Sequence, residues 1–230
     1  MVHSYDYPRP AVTVDCVVFG IGKTETLNVL LIQRRLPPFI DQWALPGGFV
    51  HQDESLENAA RRELVEETGV EDVFLEQLRT YGNPQRDPRG HTITVAFYAL
   101  VNLWDVQIKA ATDARAAQWW TVAKQPNLAF DHKLIVNDAI AALRTSIRRR
   151  PIGFQLLPPK FTLSQLQRLY EIILDKPFDK RNFRKRLLKL DVLVALNEKE
   201  TNVSHRAAQL YQFDSQKYKS LQQTGFNFDL

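Results

Sequence analysis

Between Gly48 and Val70 the chain reads GFVHQDESLENAARRELVEETGV. As a template this is a glycine, five free positions, Glu54, seven free positions, Arg62-Glu63-Leu64, one free position, Glu66-Glu67, one free position and Gly69-Val70. Seven fixed residues and two aliphatic positions would recur by accident in a chain of this length with a probability on the order of 10⁻⁷. Leu56, Ala59 and Ala60 fall at helical spacing, and the same steps of three and four lead on to Glu63, Glu66 and Glu67. The spacing therefore predicts a helix whose buried face continues into three carboxylates. These occupy an arc of roughly 100°, and a neighbouring pair near 4 Å repels by about 4 kcal/mol at an effective dielectric of about 20. A divalent cation offsets such repulsion, and an all-oxygen ligand set on a rigid helix suits a hard ion, Mg²⁺ or Mn²⁺.

The flanking residues have roles of the same kind. Pro46-Gly47-Gly48 lets the backbone turn and approach a ligand, so a carbonyl near Gly48 is a candidate member of the metal shell. Arg62 borders the acidic face and is placed to hold a glutamate by a charge-assisted hydrogen bond. Gly69 is the expected C-terminal cap. An isolated E-x-x-E-E reads best as solvated surface charge; the complete template reverses that preference.

At 230 residues the chain has room for two domains. Its apolar runs are strand-length, short of the ~18 residues that span a membrane, and MVHSYDYPRP lacks the basic-then-apolar form of a signal peptide, so a cytoplasmic protein is expected. The single cysteine, Cys16, lies in an apolar run and reads as a small core residue. Charge is uneven: residues 1–150 hold 17 Lys and Arg against 18 Asp and Glu, whereas residues 151–230 hold 13 against 8. An excess of +5 in the last third hints at an anionic partner, or at a solvated basic surface.

Along the chain, Ala11–Phe19 alternates, with Val12, Val14, Cys16 and Val18 on one side, and Leu27–Ile32 is a denser aliphatic run; both predict strands. Arg34 follows, a guanidinium placed to grip a diphosphate or to serve as ordinary surface charge. Val73–Tyr81 and Thr92–Leu103 are β-rich, and the loop between them carries Arg86 and Arg89, which either face a substrate or are solvated while Asp87 stabilises the turn. Gln118–Val122 predicts a last strand and Asp131–Ser146 a helix; Asp131 reads as its N-cap, and Asp131 and His132 are weaker candidates for a substrate-side role. The elements describe a mixed α/β sandwich.

Arg148-Arg149-Arg150-Pro151 and Pro158-Pro159 break the pattern, and the boundary between domains 1–150 and 151–230 is expected there. Thr162 with Gln165 forms a capping box ahead of a stripe of Leu163, Leu166, Leu169, Tyr170 and Ile173. After the Lys176-Pro177-Phe178 turn, Asp179 caps a second predicted helix, Lys180–Leu190, with Phe183, Leu187 and Leu190 inward. Its other faces carry Lys180, Arg181, Arg184, Lys185, Arg186 and Lys189. Two short helices and a tight turn, followed by a hairpin from Leu193–Leu196 and Leu210–Phe213, have the form of a winged helix-turn-helix that reads double-stranded DNA. A basic protein-interaction or dimerisation module is the alternative.

The Gly48–Val70 pattern is the full Nudix box, and the first domain resembles Nudix hydrolases over nearly its whole length. The pair of domains resembles the Nudix-related transcriptional regulators of NAD metabolism, the NrtR family, through YPRPAVTVD, WALPGGFV, RDPRG, LAFDH, FTLSQLQRLYEIIL and DKRNFRKRLL. That resemblance implies a Nudix α/β/α sandwich followed by a C-terminal winged helix, a homodimer, and ADP-ribose or a related NAD breakdown product as ligand. It implies a repressor that responds to ADP-ribose, and, from related proteins, hydrolysis of ADP-ribose to AMP and ribose 5-phosphate. Glu63, Glu66 and Glu67, with Gly48, are then the metal and catalytic set, assisted by Arg62; Arg34, Arg86 and Arg89 are the substrate contacts. Lys180, Arg181, Asn182, Arg184, Lys185 and Arg206 are the DNA contacts. Repressors of the family often have a degraded box and bind without turnover, whereas this box is complete. The wing reads Ser204-His205-Arg206-Ala207 where many relatives have Gly-Arg-Pro. A sensor that does not cut, and a housekeeping hydrolase whose tail serves assembly, are the alternative functions.

Overall fold

The computed structural model describes residues 6–103, 114–201, 206–226 and 228. The chain divides into two compact units, the first built mainly of Asn28–Leu100 with Met1–Phe19 and Gln107–Ile140, the second of Ala141–Leu230 with Gly20–Leu27 and Val101–Val106.

The first unit is organised on a seven-stranded sheet. Its path runs β3 (Trp43–Ala44), β2 (Asn28–Arg34), β1 (Ala11–Ile21), β6 (Thr92–Asn102), β5 (Phe74–Tyr81), with β4 (Gly47–Phe49) against β1 and β7 (Ala114–Thr121) against β2. The alternation expected in β1 is not what the structure shows: every residue from Thr13 to Ile21 is buried, so both faces of this interior strand are covered. Cys16 is fully buried, as its apolar surroundings predicted. The Gly47–Phe49 segment pairs with β1 in the register Asp15↔Gly47, Val14↔Gly48, Thr13↔Phe49. A side chain on Gly47 would run into the Val14 carbonyl, which explains why glycine stands there.

Helix α1 spans Leu56–Thr68. Ser55 caps its start by accepting from the Asn58 N–H, and Gly69, at φ 70°, ends it with its N–H on the Val65 carbonyl. Helix α2 spans His132–Arg149, three residues beyond the expected Ser146.

In the second unit a 3₁₀ turn at Pro151–Leu156 precedes α3 (Leu163–Leu174) and α4 (Lys180–Lys189). Both expected starts are present: Thr162 and Gln165 form the full capping box, and the Asp179 side chain accepts from the Asn182 N–H. The apolar faces meet in a core that includes Leu166, Tyr170, Ile173, Phe183 and Leu187, and the buried Tyr170 hydroxyl donates to the Ile147 carbonyl at 3.2 Å. The hairpin consists of β8 (Leu193–Lys199) and β9 (Gln209–Phe213), longer on its first strand than the Leu193–Leu196 expected. It is tied to the core by Phe213, stacked on Phe154 at 4.3 Å, and by pairing of Tyr211 with Phe161. Helix α5 (Ser215–Gln223), not anticipated from the sequence, follows behind an Asp214 cap. Ser204 and His205 lie outside the described residues. Among the described residues no helix is long and apolar enough to cross a membrane.

Candidate active site and nucleic-acid surface

A cleft of about 500 Å³ in the first unit brings together Glu63, Glu66, Glu67, Arg62, Gly48, Arg34, Arg86 and Arg89. One wall is α1. Glu63 and Glu67 are each only 9% exposed, but Glu66, expected on the same buried face, is exposed, with 55% of its side chain in solvent. The reason is angular. Ala59, Ala60, Glu63, Leu64, Glu67 and Thr68 form the buried arc, and at about 100° per residue Glu66 falls just beyond its edge, some 60° behind Glu63.

Arg62 organises this wall with its five N–H donors. Nε and Nη2 grip Glu54 at 3.0 and 2.7 Å, Nη1 donates to Glu63 at 2.8 Å and Glu66 at 3.1 Å, and Nη2 also reaches the Phe49 carbonyl at 3.1 Å. The hydrogen bond from Arg62 holds the Glu54 carboxyl at about 2. Burial pushes the Glu63 carboxyl up against the opposing influence of Arg62. Glu67 accepts from the Gly47 N–H at 2.8 Å, yet burial, reinforced by the charges of Glu63 and Asp15, lifts its carboxyl to about 8. The Gly48 backbone faces Glu63 so closely that a β-carbon there would collide with its carboxylate. Among the described residues no three His, Cys, Asp or Glu side chains converge into one ready metal-ligand set. Glu63 and Glu66 turn toward Arg62, and Glu67 toward Gly47.

The opposite wall is cationic. The Arg34 guanidinium lies 4.8 Å over the Phe130 ring, and Arg89 approaches the same ring at 5.6 Å and Phe49 at 5.1 Å. Arg34 Nε donates to the Pro38 carbonyl at 2.9 Å, and burial together with the like charge of Arg89 lowers its pKa. Arg89 is paired with Asp87 at 2.7 Å; burial would raise that carboxyl, but the hydrogen bonds from Arg89 outweigh it and hold it down. Asp87 thus anchors an arginine as well as shaping the turn.

Arg86 behaves differently from either expectation. It lines the cleft, but its side chain is only 3% exposed: Nη2 lies 3.2 Å from Asp15 and 2.7 Å from Asp131, and Nε donates to Asp131 at 3.0 Å. Burial would lower its pKa, and the hydrogen bonds it donates to Asp131 and the charge of Asp15 reverse that. Its charge is paired with two carboxylates, so in this structure it crosslinks Asp15 and Asp131 at the edge of the cleft. Asp131, read as a helix cap, uses its carboxylate on Arg86. Asp15 was missed, although a lone acid inside the apolar run TVDCVVFGI must find a buried partner and could have been flagged on that ground. Phe130 and Phe49 carried no signal in the sequence.

In the second unit, Lys180, Arg181, Asn182 and Lys185 are exposed on α4, which has no acidic residue. Lys180, Arg184 and Arg206 line one open groove of about 1060 Å³ with Lys199, whereas Arg181, Asn182 and Lys185 lie outside it. Arg184 is half-buried, its Nη2 donating to Ser164 at the start of α3 at 3.0 Å, so part of its fork bridges the two helices.

Two family models match separate parts of the chain. The NUDIX domain model matches residues 9–139, and the NrtR DNA-binding winged helix domain model matches residues 153–213. The chain is 40% identical over 217 residues, 93% of this chain and 86% of the relative, to the ADPR responsive transcriptional repressor NtrR of Acinetobacter baylyi. It is 40% identical over 132 residues, 57% of this chain and 74% of the relative, to the ADP-ribose pyrophosphatase of Methanocaldococcus jannaschii. The crystal structure of Shewanella oneidensis NrtR complexed with a 27mer DNA superposes with a TM-score of 0.80 at 35% identity, covering 95% of this chain and 99% of that one. The NUDIX domain of the same protein complexed with ADP ribose gives 0.55 at 38% identity over 60% of this chain and 94% of that one. With a NUDIX domain followed by an NrtR-type winged helix, and likeness to its relatives over nearly the full length, this chain belongs to the NrtR family of Nudix-related transcriptional regulators.

Proposed function

We propose that the protein is an ADP-ribose-responsive transcriptional repressor of NAD metabolism genes that also hydrolyses ADP-ribose to AMP and ribose 5-phosphate. The observation that carries this reading is the cleft, where an acidic wall of Glu63, Glu66 and Glu67 faces the guanidinium and aromatic wall of Arg34, Arg89 and Phe130. Arg34 and Arg89 lie over one ring with Asp87 held by Arg89, and a dinucleotide diphosphate has the charge to bridge the two guanidiniums. The relatives named for ADP-ribose support the identity of that anion. In this reading Arg34 and Arg89 hold the diphosphate, and Arg86 holds the cleft floor through Asp15 and Asp131.

The acidic wall fits a hard divalent cation: its donors are all oxygens, Glu67 is buried with a carboxyl raised to about 8, and the absence of a side chain at Gly48 lets the Glu63 carboxylate come against the backbone there. Glu63, Glu66, Glu67 and the Gly48 carbonyl would hold Mg²⁺ or Mn²⁺, which when bound supplies neutralisation of phosphoryl charge and acidification of a water. In the net reaction the water oxygen bonds to one phosphorus, the bridging P–O bond breaks, and the leaving phosphate takes up the proton. Residues 151–230 bind double-stranded DNA through Lys180, Arg181, Asn182, Lys185 and Arg206, while residues 1–150 handle the nucleotide. A homodimer in the cytoplasm completes the proposal.

The engagement of Glu63 and Glu66 by Arg62 favours a second reading, a sensor that binds ADP-ribose without cutting it. Incubation with ADP-ribose and Mg²⁺ or Mn²⁺ separates the two, since a hydrolase releases AMP and a sensor does not. A mobility shift with the DNA upstream of the protein's own gene, with and without ADP-ribose, tests the regulator; no complex at low salt refutes it.

A further inference from the structure

His132, the first residue of α2, is 4% exposed beneath the cleft. Its Nδ1 accepts the Leu45 N–H at 2.9 Å. A ring nitrogen that accepts carries no proton, so the neutral imidazole holds its proton on Nε2, which lies 3.4 Å from Asp15 Oδ1. Burial favours the neutral ring, against the pull of Asp15. Arg86 neutralises the other oxygen of Asp15, so the imidazole need not be charged to satisfy it.

Leu45 opens the turn Leu45-Pro46-Gly47. The Pro46 carbonyl accepts from the Cys16 N–H at 2.8 Å, Gly47 pairs with Asp15, and the Gly47 N–H donates to Glu67 Oε2 at 2.8 Å. The Val14 carbonyl blocks movement on one side of Gly47. The segment just before His132 holds the approach to the turn as well, with the Ala129 N–H on the Trp43 carbonyl at 2.8 Å. Hydrogen bonds at three successive residues, Leu45, Pro46 and Gly47, therefore fix the backbone between the His132 ring and one carboxylate of the acidic wall.

We propose that His132 is a positioning residue for the hydrolysis, fixing through the Leu45 N–H the turn whose Gly47 N–H aims Glu67 into the cleft. This rests on the reading of the cleft as a pyrophosphate-hydrolysing site. His132 touches no reacting atom; it acts through Leu45 and Gly47.

Two substitutions separate this role from simple filling of space. His132→Asn brings an amide oxygen near the place of Nδ1, able to accept from Leu45. His132→Gln carries its amide toward the place of Nε2, able to donate to Asp15 while Leu45 is left unmatched. In the full-length protein with Mg²⁺ and ADP-ribose, kcat of His132→Gln falls about ten-fold or more with KM changed less than about three-fold, and His132→Asn recovers most of the loss. Mn²⁺ affinity, read by electron paramagnetic resonance without nucleotide, follows the same order. Nitrogen-15 spectra of the parent show the Nε2-protonated pattern and a scalar coupling between the Leu45 amide nitrogen and His132 Nδ1. Equal kcat in the two variants, a loss confined to KM, or an Nδ1-protonated ring overturns the assignment. If the parent itself releases no AMP, the hydrolase reading fails, and the coupling together with the Mn²⁺ order decides for or against His132 by themselves.

Discussion

Replacing Glu67 by Gln should stabilise the metal-free protein, and only at high pH. The folded-state carboxyl sits at about 8 against an ordinary 4.5, so between those values the folded protein keeps a proton that the unfolded chain releases. Stability then falls as pH rises through that window, by ~1.4 kcal/mol per pH unit and about 5 kcal/mol across it, and is level on either side. Glutamine cannot ionise, but its amide oxygen can still accept from Gly47. At pH 5 parent and variant should match within about 1 kcal/mol; at pH 8 the variant should lead by about 3–5 kcal/mol, or about 10 °C in unfolding temperature for a chain of this size. The assay is urea unfolding in EDTA from pH 5 to 8.5, followed by tryptophan fluorescence, since Trp43, Trp119 and Trp120 lie on β3 and β7 of the first unit. Adding Mg²⁺ at pH 8 should stabilise the parent and leave the variant nearly unchanged, because proton and cation compete for the same oxygen atoms. A difference between the two proteins that is constant with pH would refute the argument that burial and neighbouring carboxylates set the ionisation of Glu67.

Arg34→Ala and Arg89→Ala should each weaken ADP-ribose binding about ten-fold or more by calorimetry. Arg34→Lys should not restore it, because an ammonium lacks the planar fork that lies over Phe130. Thr162→Ala removes the capping box of α3 and should cost about 1 kcal/mol of stability in the second unit, with Thr162→Ser close to the parent in a denaturant titration. Alanine at Lys180, Arg181 or Lys185 should each lower the slope of log affinity for DNA against log salt by about one; slopes equal to the parent's would remove these side chains from the phosphate contacts.

Local chemistry was readable from the chain because its causes are local. The Gly69 end of α1, the Thr162 and Gln165 box and the Asp179 cap each depend on residues within a turn of one another, and all stand where spacing placed them. The acidic stripe was equally visible, since helical periodicity alone brings Glu63 and Glu67 to the face of Ala59 and Ala60. What periodicity could not decide was where that face ends. Packing of α1 buries an arc that stops short of Glu66, and the extent of that arc is set by tertiary packing. Long-range pairing was invisible for the same reason. Arg86 read as a loop arginine that either faces a substrate or is solvated; the fold brings to it Asp15 and Asp131, 71 and 45 residues away. His132 gained its role from the Leu45 amide 87 positions earlier. The sequence by itself determined which groups had to find partners, because a buried charge or N–H cannot be left alone in a medium without water. The tertiary structure decided which partners they found, and so that Arg86 is buried on Asp15 and Asp131 while Arg34 and Arg89 lie over Phe130.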